Sequence, residues 1–403
     1  MSIDIVIGSN YGDEGKGITT DFLSSVAFSK KNMNPVVVRH NGGAQAGHTV
    51  QSPNGVRHVF HHFASGTLTA AVTYLSEFFI VNPILFQKEL GRLDSAGFSP
   101  QCFVHPDAIV TTPFDVMINQ AIEHERSGGR HGSCGVGINE TVVRNLEKEY
   151  RTTVSDFLNP GIKKVLTKIR DEYVPKRMKH LGLDYHNNQI LTAIFDSGID
   201  ATLFSFDDIM DDITIIGYRY LKSFQNIIFE GAQGLLLDQN KMEYFPHLTR
   251  SNTGIENAVH IINSTGLDKI HDITVTYVTR PYLTRHGAGP LNHSYGYEKP
   301  YELISDPTNI PHEYQGVIRF ADLDIDLLKR SIHYDLAHSI GFPVKKQLSI
   351  TCMDQIPENF WIVQNGIRHS CQSKIFPKFL TNFVGFDSCL CSFGPSRKDI
   401  NWV

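Results

Sequence analysis

Short runs of β-branched and apolar residues recur along the chain: Ile3 to Ile7, Pro35 to Val38, Asn226 to Phe229, Ile273 to Val278 and Gln347 to Thr351. Each ends in a glycine-rich or polar loop, and the recurrence predicts parallel strands in an α/β fold, a large twisted sheet flanked by helices. In such open sheets ligands bind beyond the carboxyl ends of the strands, where the informative loops of this chain begin. The clearest helical periodicity runs from about Asp322 to Ser339, with Leu323, Leu327, Leu328, Ile332, Leu336 and Ile340 on one face. Gly341 and Pro343 terminate it, and Asp322, Asp324 and Asp326 suit the positive end of the helix dipole. No composition shift, linker or internal repeat divides the chain. The expectation is one domain over 1–403 with a helical insertion at about 140–212, where charge and helix formers are dense.

Composition narrows the class. A 41% hydrophobic content over 403 residues is that of a soluble globular enzyme. A net charge of −5 gives no basic surplus for a nucleic-acid backbone. The start of the chain lacks a signal core and no stretch is apolar enough for a bilayer, so a cytoplasmic protein with neither nucleic-acid nor membrane partners is expected. Six cysteines are too sparse for a disulfide scaffold, and Cys389 and Cys391 read as strand residues without a zinc set. His61 and His62 read as structural.

The first strand runs into Gly8-Ser9-Asn10-Tyr11-Gly12-Asp13-Glu14-Gly15-Lys16-Gly17 and then a helix from Ile18 to about Ser25. Glycines let backbone N–H groups converge on an anion at a helix N-terminus, and Lys16 adds a point charge. The loop departs from a Walker A sequence, with Asn10 in place of the first glycine and Gly17 in place of the metal-binding hydroxyl. Asp13 is the nearest hard oxygen for a metal. By itself such a loop is equally compatible with a tight turn.

Gly12 to Gly17 resembles the signature loop of the adenylosuccinate synthetase family. Arg39 to Thr49, Phe229 to Gly234, Tyr244 to Thr253, Thr284 to Pro290 and Ser392 to Arg397 are similar to further motifs of that family, in its order. The resemblance implies a P-loop-like fold with helical excursions and a ligase that joins aspartate to C6 of a 6-oxopurine nucleotide through a 6-phosphoryl intermediate. It implies Mg²⁺, GTP and a homodimer. By the same resemblance Asp13 takes the purine N1 proton, His48 donates to the transferring phosphoryl group and Gln233 contacts O6. Asp13 and the Gly47 carbonyl hold Mg²⁺. Gly12, Glu14, Gly15, Lys16, Gly17, Gly47, His48, Thr49, Asp354, Ser392, Gly394 and Pro395 hold the triphosphate. Asp13, Gln45, Ser133, Cys134, Arg144, Gln233 and Thr249 hold the substrate nucleotide, with Arg144 reaching across a dimer interface. Gln315 and Arg319 hold aspartate.

Two departures bear on specificity. The family's Thr-Thr-Gly-Arg-x-Arg-Arg loop corresponds to His312 to Phe320, where only Gly316 and Arg319 survive and Val317 replaces an arginine that reaches aspartate and ribose. The base-reading Thr-Lys-Leu-Asp becomes Thr351-Cys352-Met353-Asp354, which loses the lysine and leaves ATP open beside GTP. In the nucleotide loop Cys134 replaces a hydroxyl with a weaker donor. These changes point toward phage enzymes that add aspartate to dGMP, whereas Asp13 points to IMP. IMP is the leading expectation and dGMP the alternative. A catalytically inactive nucleotide-binding homologue is the alternative of another class, and a phosphotransferase on the same scaffold lacks the metal hydroxyl.

Overall fold

The computed structural model describes residues 1–31, 33–126, 135–269, 271–307, 309, 317–339 and 341–403. Its centre is a ten-stranded sheet in the order Ile400–Trp402, Ser388–Ser392, Lys345–Ile350, Asp272–Thr279, Ser2–Gly8, Asn226–Gly234, Val36–Arg39, Val72–Leu75, Cys102–Val104, Ile213–Ile215. All neighbours pair in parallel except the edge strand Ile400–Trp402, which is antiparallel to Ser388–Ser392. The five expected strands occupy five consecutive positions in the middle of this sheet. Val36–Arg39 is buried at every residue, as a parallel strand covered on both faces must be. The chain therefore adopts the expected α/β architecture.

The helix after the first strand spans Lys16–Lys31, longer at both ends than expected. The helix expected from Asp322 begins later, at Ile325, and ends at Leu336. Residues Arg319–Asp324 are instead a strand of a second, five-stranded sheet, which also contains Tyr282–Arg285, Ser294–Gly296, Asn359–Gln364 and Ile367–Gln372. Asp324 closes the strand and caps the helix, its Oδ1 accepting from the N–H groups of Asp326 and Leu327 at 3.0 and 2.9 Å. Leu323 belongs to the buried face of the strand.

Helices Pro113–Arg126, Ile162–Lys168, Val174–Leu181 and Gln189–Ile209 enclose a core of their own around Phe114, Met117, Leu166, Tyr173 and Ile199. Among the described residues no helix is long and apolar enough to cross a membrane.

The central sheet sets out the candidate site. The strands ending at Gly8, Arg39, Ile350 and Ser392 run directly into quoted loops, and Asn226–Gly234 ends in a quoted motif, so segments hundreds of residues apart meet at the carboxyl ends of the sheet.

Candidate active site

The phosphate loop is shaped from within by Glu14. Its Oε1 accepts the N–H groups of Asn10 and Gly12 at 2.9 and 2.8 Å, and its Oε2 receives Lys16 Nζ at 2.9 Å. Glu14 and Lys16 are almost fully buried, so the carboxylate is an internal brace. The Glu14 side chain and the Gly12 N–H are thus bonded within the loop, which leaves the Glu14 contribution to a triphosphate to its backbone. The first-turn amides of helix Lys16–Lys31 have no intrahelical acceptor and remain the natural anion donors. A side chain at Gly8 would stand 2.4 Å from Glu14 Oε2 and 2.6 Å from Lys16 Nζ, so only glycine permits the brace. Thr351 Oγ1 donates to the Glu14 carbonyl at 2.6 Å and Asn10 Nδ2 to Thr279 Oγ1 at 3.0 Å, strapping the loop to two neighbouring strand ends.

Asp13 and Gln233 lie on either side of Gly12 with φ of 60° and 64°, a left-handed conformation rarely adopted by side-chain-bearing residues. An added Cβ on Gly12 would lie 3.8 Å from Gln233 Cα, and one on Gly234 would strike the Asn10 carbonyl at 2.4 Å. The two loops are thus in van der Waals contact. Gln233 Oε1 is buried with no hydrogen-bond partner among the described residues.

The Asp13 carboxylate keeps 27% side-chain exposure, and its Oδ2 lies 3.2 Å from His286 Nε2. Burial pushes its pKa up, but the hydrogen bond and charge of His286, with Arg280 and Lys16 behind, outweigh this and hold it down at about 2. His286 is correspondingly raised: burial opposes its charge, and the contact with Asp13 overcomes that.

His48 opens a hairpin strand, His48–Gln51, paired antiparallel with Arg57–Phe60. Its Nδ1 lies 2.7 Å from Glu230 Oε1, and Glu230 is three residues before Gln233 on strand Asn226–Gly234. Glu230 is fully buried and also accepts the Ser65 N–H at 3.1 Å and the Ser65 hydroxyl, with Arg39 Nε at 3.9 Å. Burial alone would raise this carboxyl, yet His48 and Arg39 hold it down at about 2. Burial lowers His48, with Arg39 and Lys16 adding to the effect and Glu230 opposing it. Because Nδ1 faces an ionised carboxylate it carries the proton, and His48 Nε2 is left buried without a partner among the described residues. A Cβ on Gly17 would lie 3.2 Å from His48 Cβ, which puts the imidazole against the start of the phosphate-loop helix. Asn41 joins the second glycine loop to Ala232, accepting its N–H at 2.7 Å.

Asp13, Lys16, His48 and Gln233 therefore belong to three loops that touch one another at the carboxyl ends of the central strands. Gln45 lies beside Gly42 in the second loop, and Gly47 is exposed just before His48. Thr49 follows His48, its carbonyl 3.1 Å from where a Gly17 side chain would begin. Thr249 is half-buried, its N–H donating to the Leu237 carbonyl at 2.9 Å. Ser392, Gly394 and Pro395 follow one strand end and Asp354 follows its neighbour. Burial and nearby Asp399 push the Asp354 carboxyl upward. Arg319 donates through Nη2 to the carbonyls of Gly287 and Gly289, while its Nε is buried without a partner among the described residues. Ser133, Cys134 and Gln315 fall outside the described residues.

Arg144 requires correction. It is fully buried and all five of its N–H donors are engaged within the chain: Nε and Nη2 with Asp115 at 2.8 Å each, Nη1 with the Tyr150 carbonyl and Thr152 Oγ1, and Nη2 also with the Val110 carbonyl. No donor is left for a partner's substrate, and Arg144 is a structural tie.

Arg39, Glu230 and His286 lie inside the motifs Arg39 to Thr49, Phe229 to Gly234 and Thr284 to Pro290, where the sequence alone assigns them no role. Glu230 carried a readable signal, a charge inside the apolar strand Asn226–Gly234, which has to be paired when buried. Among the described residues no group of three or more His, Cys, Asp or Glu could cage a metal. The donor set that does fit Mg²⁺ is the ionised, part-exposed Asp13 with the exposed Gly47 backbone. Mg²⁺ in nucleotide sites commonly uses one or two protein oxygens with phosphate oxygens.

A family model described as adenylosuccinate synthetase matches residues 5–333. The adenylosuccinate synthetase of Methylococcus capsulatus is 32% identical over 300 residues, 71% of this chain and 63% of that one. The Acinetobacter baylyi adenylosuccinate synthetase is 28% identical over 357 residues, 81% of this chain and 74% of that one. The match thus spans less than two thirds of the Methylococcus relative. Among solved structures, a fully ligated adenylosuccinate synthetase from Plasmodium falciparum superimposes with a TM-score of 0.76 at 17% identity, covering 99% of both chains. A cyanophage S-2L succinoaminodeoxyadenylate synthetase, bound to dGMP and to dATP as an energy donor, gives a TM-score of 0.60 at 15% identity over 100% of this chain and 95% of that one. At these identities the two structures speak to the fold.

Proposed function

The chain belongs to the adenylosuccinate synthetase family, and we propose that it is a ligase that activates O6 of a 6-oxopurine nucleotide with a nucleoside triphosphate and attaches L-aspartate at C6. The observation that carries this reading is that touching loops bear an ionised carboxylate, an imidazole with one nitrogen open and an amide with its oxygen open. Folding alone does not call for these groups side by side.

Asp13, held as carboxylate, accepts the purine N1 proton, which raises electron density on O6. That oxygen attacks the γ-phosphoryl group in line. His48 donates from Nε2 to the charge developing on the transferred group. The phosphoryl group's own negative charge opposes the burial that disfavours imidazolium, so binding and protonation of His48 are coupled. Gln233 orients O6. The aspartate amine then displaces phosphate, the C6–O bond breaking as the C–N bond forms. Mg²⁺, held by Asp13 and the Gly47 carbonyl, would offset charge on the triphosphate. Arg319 is the carboxylate donor proposed for aspartate.

IMP with GTP is the leading substrate pair. The alternative, dGMP with ATP, is favoured by Val317 and Cys352 and by the likeness to the cyanophage enzyme with its dGMP and dATP. A cytoplasmic homodimer is carried over from the family resemblance, with Arg144 no longer supporting it. The test is phosphate release in a matrix of IMP and dGMP against GTP and ATP, each with and without aspartate. Release that needs both nucleotide and aspartate sustains the ligase. Release without aspartate indicates a phosphatase or kinase, and none at all indicates an inactive binder.

A further inference from the structure

We propose that His286 is a positioning residue for Asp13, fixing which carboxylate oxygen meets the purine; this rests on the ligase reading above. His286 Nε2 lies 3.2 Å from Asp13 Oδ2 and 3.0 Å from Asn309 Oδ1. Asn309 is itself anchored, its N–H on Asp306 Oδ1 at 3.1 Å and its Nδ2 on Asp306 Oδ2 at 2.6 Å. The imidazole is therefore held between two oxygens, and Asn309 prevents the ring from following Asp13 if that side chain turns.

The loop carrying His286 is braced mainly by contacts of its own, with one to the phosphate loop. Arg319 Nη2 donates to the carbonyls of Gly287 and Gly289 at 2.5 Å each, and Arg285 Nη1 to the Pro290 carbonyl at 2.7 Å. The Arg285 guanidinium also packs 4.4 Å above the centre of the Tyr11 ring, two residues before Asp13. The two loops thus meet where Arg285 packs on Tyr11 and at the Asp13–His286 ion pair.

Asp13 sits at φ 60°, so its backbone fixes where the side chain starts but not how the carboxylate is turned. With Oδ2 engaged, Oδ1 is the oxygen presented to the purine N1–H. A base must offer its lone pair at a hydrogen-bonding distance of about 2.6–3.2 Å. Without His286, the remaining cations acting on Asp13 are Arg280 and Lys16, and the carboxylate is free to turn toward them.

The test compares His286→Val and His286→Gln with the wild type in the full chain, measuring kcat and the KM of triphosphate, purine nucleotide and aspartate. A misplaced base lowers kcat of His286→Val about 100-fold, while triphosphate KM stays within about twofold. His286→Gln keeps an N–H donor and recovers about a tenfold share of that loss. A wild-type kcat in His286→Val overturns the proposal. So does an equal loss in both variants with all three KM values raised together, the pattern of a general structural role. Wild-type protein without aspartate-dependent turnover would sink the ligase reading and the proposal with it, whereas active wild type with an unaffected variant sinks the proposal alone.

Discussion

Replacing Glu230 with glutamine would test whether the charge on His48 is used. The wild-type carboxylate accepts the Nδ1 proton of His48 at 2.7 Å, along with the Ser65 N–H and hydroxyl. A glutamine can keep the Ser65 N–H contact through its oxygen, but its amide nitrogen is then a donor facing both Nδ1 and the Ser65 hydroxyl, which can turn to accept it. The imidazole must then accept there, carry its proton on Nε2 and stay neutral. Glu230→Gln therefore keeps a donor at the phosphoryl position and removes its charge. Loss of a preorganised, charge-stabilising contact in a water-poor site costs roughly 10²–10³ in kcat, and the retained neutral donor argues for the lower end, about 100-fold. Triphosphate KM should change little. Arg39, fully buried, loses its carboxylate neighbour at 3.9 Å, so the fold should lose about 3 kcal/mol, the lower part of the range for breaking a buried pair. Glu230 is depressed from 4.5 to about 2, so its stabilising contribution is full above the unfolded value of 4.5 and declines as pH falls toward about 2. Aspartate-dependent phosphate release and urea unfolding at several pH values measure both effects. Wild-type kcat in Glu230→Gln would refute the assignment of charge to His48, and a stability gap indifferent to acid would refute the buried-pair account.

Arg144→Met should cost about 3–5 kcal/mol in urea unfolding, because it strands the buried Asp115 carboxylate, while kcat per folded molecule and the sedimentation coefficient stay unchanged. A raised KM for the purine nucleotide in folded Arg144→Met would restore a substrate role. Gly15→Ala, at φ 93° and with its new Cβ 2.7 Å from Thr351 Cγ2, should destabilise the protein by about 2–3 kcal/mol and weaken triphosphate binding in calorimetry. Unchanged affinity would show that the loop is not the triphosphate cradle. Asp335 is raised from 3.8 to about 6 by burial, against the Tyr277 hydroxyl and Ile255 N–H. The fold thus favours its protonated form, a contribution full below the unfolded pKa and lost as pH rises through about 6. Relative to Asp335→Asn, the wild type should lose about 3 kcal/mol between roughly pH 4 and pH 7, and a constant difference in urea unfolding would contradict this.

The middle of the fold is legible because parallel strands covered on both faces need apolar runs, which Val36 to Val38 and Ile227 to Phe229 supply. The start of helix Ile325–Leu336 was misread for a related reason. Leu323 fits the helical face by spacing but is buried as part of strand Arg319–Asp324, and the capping Asp324 looks like any acidic first-turn residue. Spacing cannot tell a residue that ends a strand from one that begins the next helix when both need an apolar side chain there. Arg144 failed differently. The resemblance to a family arginine that crosses a dimer interface gives no sign of Asp115, 29 residues earlier, which neutralises Arg144 within the chain. Partners that distant leave no local trace. Glu230 was within reach of reasoning, since a carboxylate embedded in an apolar strand requires a cation. Only the fold identifies His48 and Arg39 as the groups that meet it.

The same contact that orients Asp13 bears on which purine the site prefers. Hypoxanthine presents one N–H on this edge, at N1, and a single carboxylate oxygen satisfies it. Guanine presents two adjacent donors, N1–H and the 2-amino group, which match both oxygens of a carboxylate side by side. In this protein Oδ2 lies 3.2 Å from His286 Nε2, whose N–H is shared with Asn309 Oδ1. An oxygen can accept a second, weaker hydrogen bond, so guanine is not barred; it is disfavoured by about 1 kcal/mol, roughly fivefold. That is too little to override a gain made elsewhere, such as a deoxyribose tolerated because Val317 makes no demand on a 2′-hydroxyl. On the proposed function, the balance between IMP and dGMP turns on whether the sugar contact or the base contact is worth more.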